Sequence, residues 1–144
     1  KASYEAKIVA EVISGHKSVI DYKAMPAVCY TTPEVATTGL TLEEAKKAGY
    51  AAKQSTFPMV ANSRTTANGG GEGFVRIVFD ETTQLVLGAQ IVGEQAGEMI
   101  TVLTTAIETS LTVEDIALTI FPHPSLSEAI MDNAELAMGY PIHL

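Results

Sequence analysis

The sequence predicts an α+β fold, an antiparallel β-sheet with helices grouped against it. Two observations indicate this fold: short runs of strand-forming residues include one pair joined by a tight turn, and segments with helical apolar spacing stand at the beginning and towards the end of the chain. A length of 144 residues is enough to bury a substantial core without staples. We therefore expect residues 1–144 to form one domain.

The N-terminal half is predicted to contain two helices and two strands. Ser3 is expected to cap a first helix that ends before Gly15, and residues 15–26 to form a connector. Thr41 and Glu44 have capping-box spacing for a second, short helix that ends at Gly49. The two predicted strands are residues 27–31, followed by a turn at 32–33, and residues 50–57, ended by Pro58.

The C-terminal half is predicted to begin with a β-hairpin and to continue as helices. The hairpin strands are residues 73–79 and 85–92, joined by a turn at 80–84. Three helices follow: residues 95–110, a shorter one capped at Thr112, and residues 125–138 with Gly139 at the end. The glycine-rich residues 69–73 lead into a strand rather than a helix, so a loop is expected there and not a phosphate cradle.

Charge and composition exclude several function classes. Nine Lys and Arg against 17 Asp and Glu give a net charge of −8, which argues against nucleic acid and against an anionic membrane surface as partners. No apolar run approaches the ~20 residues that cross a bilayer. Hydrophobic residues make up 47% and charged residues only 18%, so another chain is expected to cover part of the surface. Oligomerisation is therefore the first hypothesis.

The cysteine content excludes an internal disulfide and a cysteine-based zinc cluster, since Cys29 is the only cysteine. It fits a reducing compartment, the cytoplasm or the mitochondrial matrix. Because Cys29 lies in an apolar, strand-like run, we expect a buried small hydrophobe rather than a nucleophile. The chain begins at Lys1 without a signal-peptide pattern and without an initiator Met, and we expect it to be a fragment.

Two prolines restrict the backbone around one of the three histidines. His16 and His143 are expected at the surface, and the three histidines are too scattered to predict a metal site. His123 instead stands between two prolines, immediately before the last helix. Ser125 and Glu128 match a capping box, in which Glu128 reaches back to a backbone N–H. The alternative pairs Glu128 with the His123 imidazole and leaves the other ring nitrogen for proton transfer.

Several ordered motifs resemble the C-terminal interface (dimerisation) domain of the flavin-dependent pyridine nucleotide–disulfide oxidoreductases, with most likeness to their dihydrolipoamide dehydrogenase branch. The resemblance covers essentially the whole chain. The motifs are Tyr-Thr-Thr-Pro-Glu-Val-Ala at 30–36 with Gly39, Phe-Pro at 57–58 with Ala-Asn-Ser-Arg at 61–64, Leu-Gly-Ala at 87–89 with Gly93, Ala-Gly-Glu-Met at 96–99, Glu-Asp-Ile-Ala at 114–117, and His-Pro-Ser-Leu-Ser-Glu at 123–128.

The resemblance implies that His123 is the acid/base of a thiol–disulfide reaction and that Glu128 orients it. It implies a homodimer in which His123 and the backbone at Pro124 lie near the partner's FAD and redox disulfide. It also implies a cis His123–Pro124 bond, because the family has one there. The fold expected from the resemblance is the dimerisation-domain type of the FAD/NAD-linked reductases.

The cofactors implied for the intact enzyme are FAD and NAD, and its implied partner is the acyltransferase component of 2-oxoacid dehydrogenase complexes. These 144 residues contain neither a Gly-x-Gly-x-x-Gly turn nor a Cys-x-x-x-x-Cys pair. The chain alone is therefore expected to be inactive and to bind no cofactor. Two alternatives remain open: a free-standing, non-enzymatic homodimerisation module, and the interface domain of another disulfide reductase such as glutathione reductase.

Overall fold

A computed structural model describes residues 1–143 and confirms the α+β fold. Within that range the helices are α1 Ala2–Ile13, α2 Leu42–Lys47, α3 Ser63–Ala67, α4 Ala96–Glu108, α5 Val113–Ala117 and α6 Glu128–Met138. The strands are β1 Ala27–Cys29, β2 Glu34–Gly39, β3 Ala52–Pro58, β4 Phe74–Asp80 and β5 Val86–Gly93.

The five strands form one antiparallel sheet in the order β1-β2-β5-β4-β3. The predicted hairpin is confirmed as β4 and β5, in which Ile77 lies opposite Ala89. A register shift between Val78 and Phe79 adds a local irregularity to β4. Because β5 also pairs with β2, the hairpin occupies the centre of the sheet and the strands β1 and β3 form its edges.

The main core lies between the sheet and the helices α4 and α6. Successive strand residues point to opposite faces, so one alternating set from each central strand meets these helices. The set from β4 and β5 includes Val75, Ile77 and Ile91, none of them measurably exposed. The helices contribute buried residues at helical spacing, chiefly Met99, Ile100, Leu103 and Ile107 from α4 and Ala129, Ile130 and Ala134 from α6.

A second, smaller core lies on the opposite face of the sheet, under α2. It consists of Ala45 from α2 with Ala52, Val78 and Leu87 from three strands. The helix is held by the predicted capping box between Thr41 and Glu44. The helices α4 and α6 therefore lie on one face of the sheet and α2 on the other.

Close backbone contact joins this end of the sheet to the segment before α2. A Cβ added at Gly88 would stand 1.9 Å from the carbonyl oxygen of Leu40, which no side chain can tolerate. Glycine at this position lets the Leu40 N–H donate to the Leu87 carbonyl at 2.9 Å. The close approach of the Leu40 backbone thus explains why the Leu-Gly-Ala motif of β5 has glycine at position 88.

Three N-terminal predictions were wrong. The first helix has Lys1 at its N-cap without a side-chain capping bond, so Ser3 lies inside the first turn and does not cap it. The first strand stops at Cys29, and β2 was not predicted because a short Glu-Val-Ala-Thr-Thr-Gly run becomes a strand only through pairing with its neighbours. Cys29 is exposed rather than buried, because β1 is an edge strand.

Further corrections concern the middle and the end of the chain. The strand β3 begins at Ala52, two residues later than expected, and ends at Pro58 as predicted; Pro58 is its last residue, which an edge strand tolerates. The short helix α3 was not predicted, whereas the loop at 69–73 is confirmed. The last helix begins at Glu128, three residues later than expected, and ends as predicted at Gly139 in the left-handed conformation.

Much of the apolar side of α1 is exposed to solvent. It has no buried residue, and Val9, Val12 and Ile13 are 52–81% exposed. Other large apolar side chains also face solvent, among them Leu118 and Ile120 just before the His123 loop, at 74% and 95%. Within residues 1–143, no helix is long and apolar enough to cross a membrane.

Candidate active-site loop

The loop that carries His123 is anchored in the core on both sides. Phe121 packs against the main core before the loop, and Leu126, only 7% exposed, is part of that core after it. Between these anchors Pro122, His123 and Pro124 are exposed. The His123–Pro124 peptide bond is cis, as the resemblance implied. The fold therefore holds the imidazole at the surface on a backbone fixed at both ends.

The Glu128 carboxylate binds this loop with both oxygens. Oε1 lies 2.9 Å from Nδ1 of His123, and Oε2 accepts a hydrogen bond from the Ser125 N–H at 2.6 Å. The Glu128 N–H in turn donates to Oγ of Ser125 at 3.3 Å. Glu128 thus makes both predicted contacts, with Ser125 and with the histidine, but α6 begins only at Glu128, with Ser127 as an N-cap that has no side-chain capping bond.

This geometry leaves one ring nitrogen of His123 available. A carboxylate on Nδ1 selects the neutral tautomer with the proton on Nδ1, so Nε2 is the acceptor. The His123 side chain is 72% exposed, whereas that of Glu128 is 12% exposed. A largely buried carboxylate therefore orients an outward-facing imidazole, an arrangement that suits proton transfer at Nε2.

Asn62 connects the loop to the end of the sheet. Its Nδ2 donates to the Ser125 carbonyl at 3.0 Å, and its Oδ1 accepts from the N–H and the Oγ1 of Thr65 at 3.0 and 3.2 Å. Asn62 is 2% exposed and caps α3. In the sequence, Asn62 was identified only as part of the Ala-Asn-Ser-Arg motif, although its spacing from Thr65 is itself typical of a helix N-cap.

A second carboxyl group lies close to the pair. Asp132 is one helical turn after Glu128 and 5% exposed, and together with His123, Glu128 and His143 it lines a cavity of about 70 Å³. Burial raises the pKa of the Asp132 carboxyl, and nearby His143 opposes that shift. The sequence interpretation missed this residue, although its i,i+4 spacing from Glu128 places both on one helix face.

The remaining candidates lie away from this loop or at its edge. His16 and His143 are exposed, as predicted. Of the side chains in residues 1–143, no group of three or more His, Cys, Asp or Glu is arranged to hold a metal ion. Among the candidates predicted from the sequence, His123 and Glu128 are therefore the two residues that the structure brings into direct contact.

Comparison with known proteins agrees with the motifs. The family model described as "Pyridine nucleotide-disulphide oxidoreductase, dimerisation domain" matches residues 25–134. The dihydrolipoyl dehydrogenase of Staphylococcus aureus is 48% identical over 143 residues, which is 99% of this chain and 31% of that protein. That of Geobacillus stearothermophilus is 46% identical over 144 residues, again 31% of its length. The chain thus spans about a third of these relatives.

Solved structures show the same fold. LpdA from Mycobacterium tuberculosis superposes with a TM-score of 0.86 at 28% identity, covering 96% of this chain and 30% of that one. The HOCl-induced flavoprotein disulfide reductase RclA from Escherichia coli gives a TM-score of 0.82 at 29% identity, covering 90% of this chain and 30% of that one.

We expect Asn62→Ala to destabilise the chain by about 2–3 kcal/mol, because the Ser125 carbonyl and the Thr65 N–H lose a buried partner. Urea denaturation of the 144-residue chain measures this free energy. Asn68→Ala is the matched control: Asn68 is exposed and bonds only to the Glu94 side chain, so its loss should stay within about 0.5 kcal/mol. Equal losses in the two variants would contradict the anchoring role of Asn62.

Proposed function

The chain belongs to the pyridine nucleotide-disulphide oxidoreductase dimerisation-domain family, and from this premise we propose that residues 1–144 are the interface domain of a dihydrolipoyl dehydrogenase. The enzyme would oxidise dihydrolipoamide and reduce NAD⁺. Relatives of that name at 46–48% identity favour this substrate over glutathione. The observation that carries the proposal is the His123–Glu128 pair, with Nδ1 bonded to the carboxylate and the ring exposed.

In the proposed reaction His123 is the base. Its Nε2 takes the proton from one thiol of dihydrolipoamide, and the thiolate attacks a disulfide of the enzyme to form a mixed disulfide. The second substrate sulfur then loses its proton, attacks the first substrate sulfur and breaks the mixed disulfide, with the enzyme sulfur as the leaving thiolate. The substrate thus leaves as a cyclic disulfide, and the enzyme holds the dithiol, which takes up the two protons. That dithiol lies outside this chain, whose single cysteine is Cys29. Glu128 stabilises the imidazolium that forms in the first step.

The exposed side of the loop fits contact with groups from another subunit. His123 and Pro124 both face solvent, and within residues 1–143 the imidazole has a hydrogen-bond partner at Nδ1 alone. We assign FAD and NAD to the full-length enzyme, where they supply the electron and hydride transfer. These 144 residues, which have no dinucleotide-binding glycine motif, would hold neither cofactor alone and would be inactive.

We also propose that the chain pairs with a second copy through the surface beside the loop. Leu118 and Ile120 are 74% and 95% exposed there, and such side chains are more favourable when covered. A two-fold interface is self-complementary, so one such patch serves both copies. The further partner we propose is the acyltransferase component of a 2-oxoacid dehydrogenase complex. The free cysteine is compatible with a cytoplasmic location.

In the full-length enzyme, His123→Gln should lower dihydrolipoamide oxidation by a factor of about 10²–10⁴ without loss of FAD, since the base is removed. Glu128→Gln should cost less, because the base remains and only its orientation and charge partner weaken. Glu114→Gln, an exposed change on α5, serves as the control and should leave turnover unchanged. Steady-state kinetics with flavin absorbance measures all three, and unchanged turnover in His123→Gln would reject the catalytic assignment.

Sedimentation equilibrium of the 144-residue chain at micromolar concentration should give twice the 15.2 kDa mass. Ile120→Asp should shift the equilibrium to the monomer, because a charge would be buried in the interface. Val19→Asp is the control: Val19 is similarly exposed, at 87%, but lies in the connector after α1. A wild-type chain that sediments only as a monomer would contradict self-association.

A further inference from the structure

An apolar groove of about 360 Å³ lies between the helices α4 and α5, next to the segment that leads into the His123 loop. We call it the α4–α5 groove. Its apolar lining includes Val102 and Ala106 from α4, Ile116 from α5, and Phe121 from the segment after α5. Among residues 1–143, none that lines the groove carries a charge. The surface of the groove is therefore suited to apolar atoms rather than to a charged ligand.

The threonines that line the groove do not depend on water for their hydroxyl protons. Oγ1 of Thr105 donates to the Thr101 carbonyl at 2.9 Å, and Oγ1 of Thr119 donates to the Asp115 carbonyl at 2.8 Å. A polar group whose hydrogen bond is already made is covered by apolar atoms at a much smaller cost than an unpaired one. These polar residues can therefore lose water together with the apolar lining.

Two large apolar side chains stand beside the groove without cover. Ile120 is 95% exposed and Leu118 is 74% exposed. Ile120 lies in the chain between Thr119 and Phe121, which both line the groove. The chain thus carries an exposed apolar side chain immediately next to an apolar recess.

A second copy of the chain fits this arrangement. When a two-fold axis passes between a projecting side chain and a recess, each copy fills the recess of the other and the contact is made twice. Each copy has a net charge of −8, so pairing is least opposed through an uncharged surface. The family match as a dimerisation domain covers residues 25–134, a range that includes both the groove and Ile120.

We propose that the α4–α5 groove receives Ile120 of a second copy, and that this reciprocal contact is the apolar centre of the pairing interface. The assignment rests on the self-association that belongs to the proposed function. Phe121 lines the groove and packs against the main core just before Pro122 and His123. Pairing therefore covers one of the two anchors that hold the candidate active-site loop.

Methyl NMR of a mixed sample observes this contact without any substitution. One batch of the 144-residue chain carries carbon-13 only in its isoleucine methyl groups, and the other only in its valine and leucine methyl groups. Cross-peaks between labelled methyl groups in the mixture then arise only between copies. The Ile120 methyl groups should give such cross-peaks to Val102 and Leu111, which both line the groove. A dimer without these cross-peaks would overturn the proposal.

A lysine in the groove tests the same contact from the other side. Thr101 is exposed and lines the groove, so Thr101→Lys should raise the dissociation constant of the dimer about tenfold or more, because a charge would be buried there. Thr37→Lys is the matched control on β2. Its buried neighbours Ala36 and Thr38 place residue 37 on the sheet face away from α4, so its dissociation constant should stay within about twofold of the wild type.

Sedimentation equilibrium measures both dissociation constants, and circular dichroism checks that both variants remain folded. Equal dissociation constants in the two variants would overturn the proposal. So would a groove that the rest of the full-length protein covers, since the 144-residue chain would then pair elsewhere or remain a monomer, without the Ile120 cross-peaks.

Failure of the catalytic assignment has a different signature. If His123→Gln left turnover unchanged, the acid–base function would be rejected, whereas the cross-peaks of Ile120 and the effect of Thr101→Lys would persist. A dimer that lacks these cross-peaks and loses activity in His123→Gln would instead reject the groove contact and retain the proposed function.

Discussion

The two oxygens of the Glu128 carboxylate hold different parts of one loop, and the geometry of the site depends on this division. Oε2 accepts from the Ser125 N–H and closes the turn before α6, while Oε1 lies 2.9 Å from Nδ1 of His123. A capping carboxylate has two oxygens and needs only one for the backbone. The second oxygen is therefore available to orient the imidazole of His123.

The rest of the fold serves to place this carboxylate. Helix α6 lies on β3 and β4, fixed by apolar residues such as Ala129 and Ile130 that are not measurably exposed. Asn62, the N-cap of α3, bonds to the Ser125 carbonyl and ties the loop to the segment that follows β3. Rigid elements thus determine the imidazole position, which matters because proton transfer is sensitive to small displacements. The His123 side chain itself stays 72% exposed.

Local patterns predicted those features of the chain that are determined locally. Runs of strand-forming residues on either side of a turn located β4 and β5, and capping spacing located α2 and α5. The strand β2 and the exposure of Cys29 depend on which strands become neighbours, which no local pattern contains. At the site, spacing and resemblance identified His123 and Glu128. Asn62 and Asp132 were missed as site residues because their roles arise from contacts across the fold or from burial behind the pair.

The state of the His123 ring tests the account most directly. Long-range nitrogen–proton NMR of the 144-residue chain, at a pH where the imidazole is neutral, distinguishes a protonated nitrogen from a bare one. The Glu128 contact predicts that Nδ1 carries the proton and that Nε2 is bare. In Glu128→Gln this preference should weaken. A neutral ring protonated on Nε2, or a tautomer mixture that Glu128→Gln leaves unchanged, would contradict the claim that Glu128 orients the base.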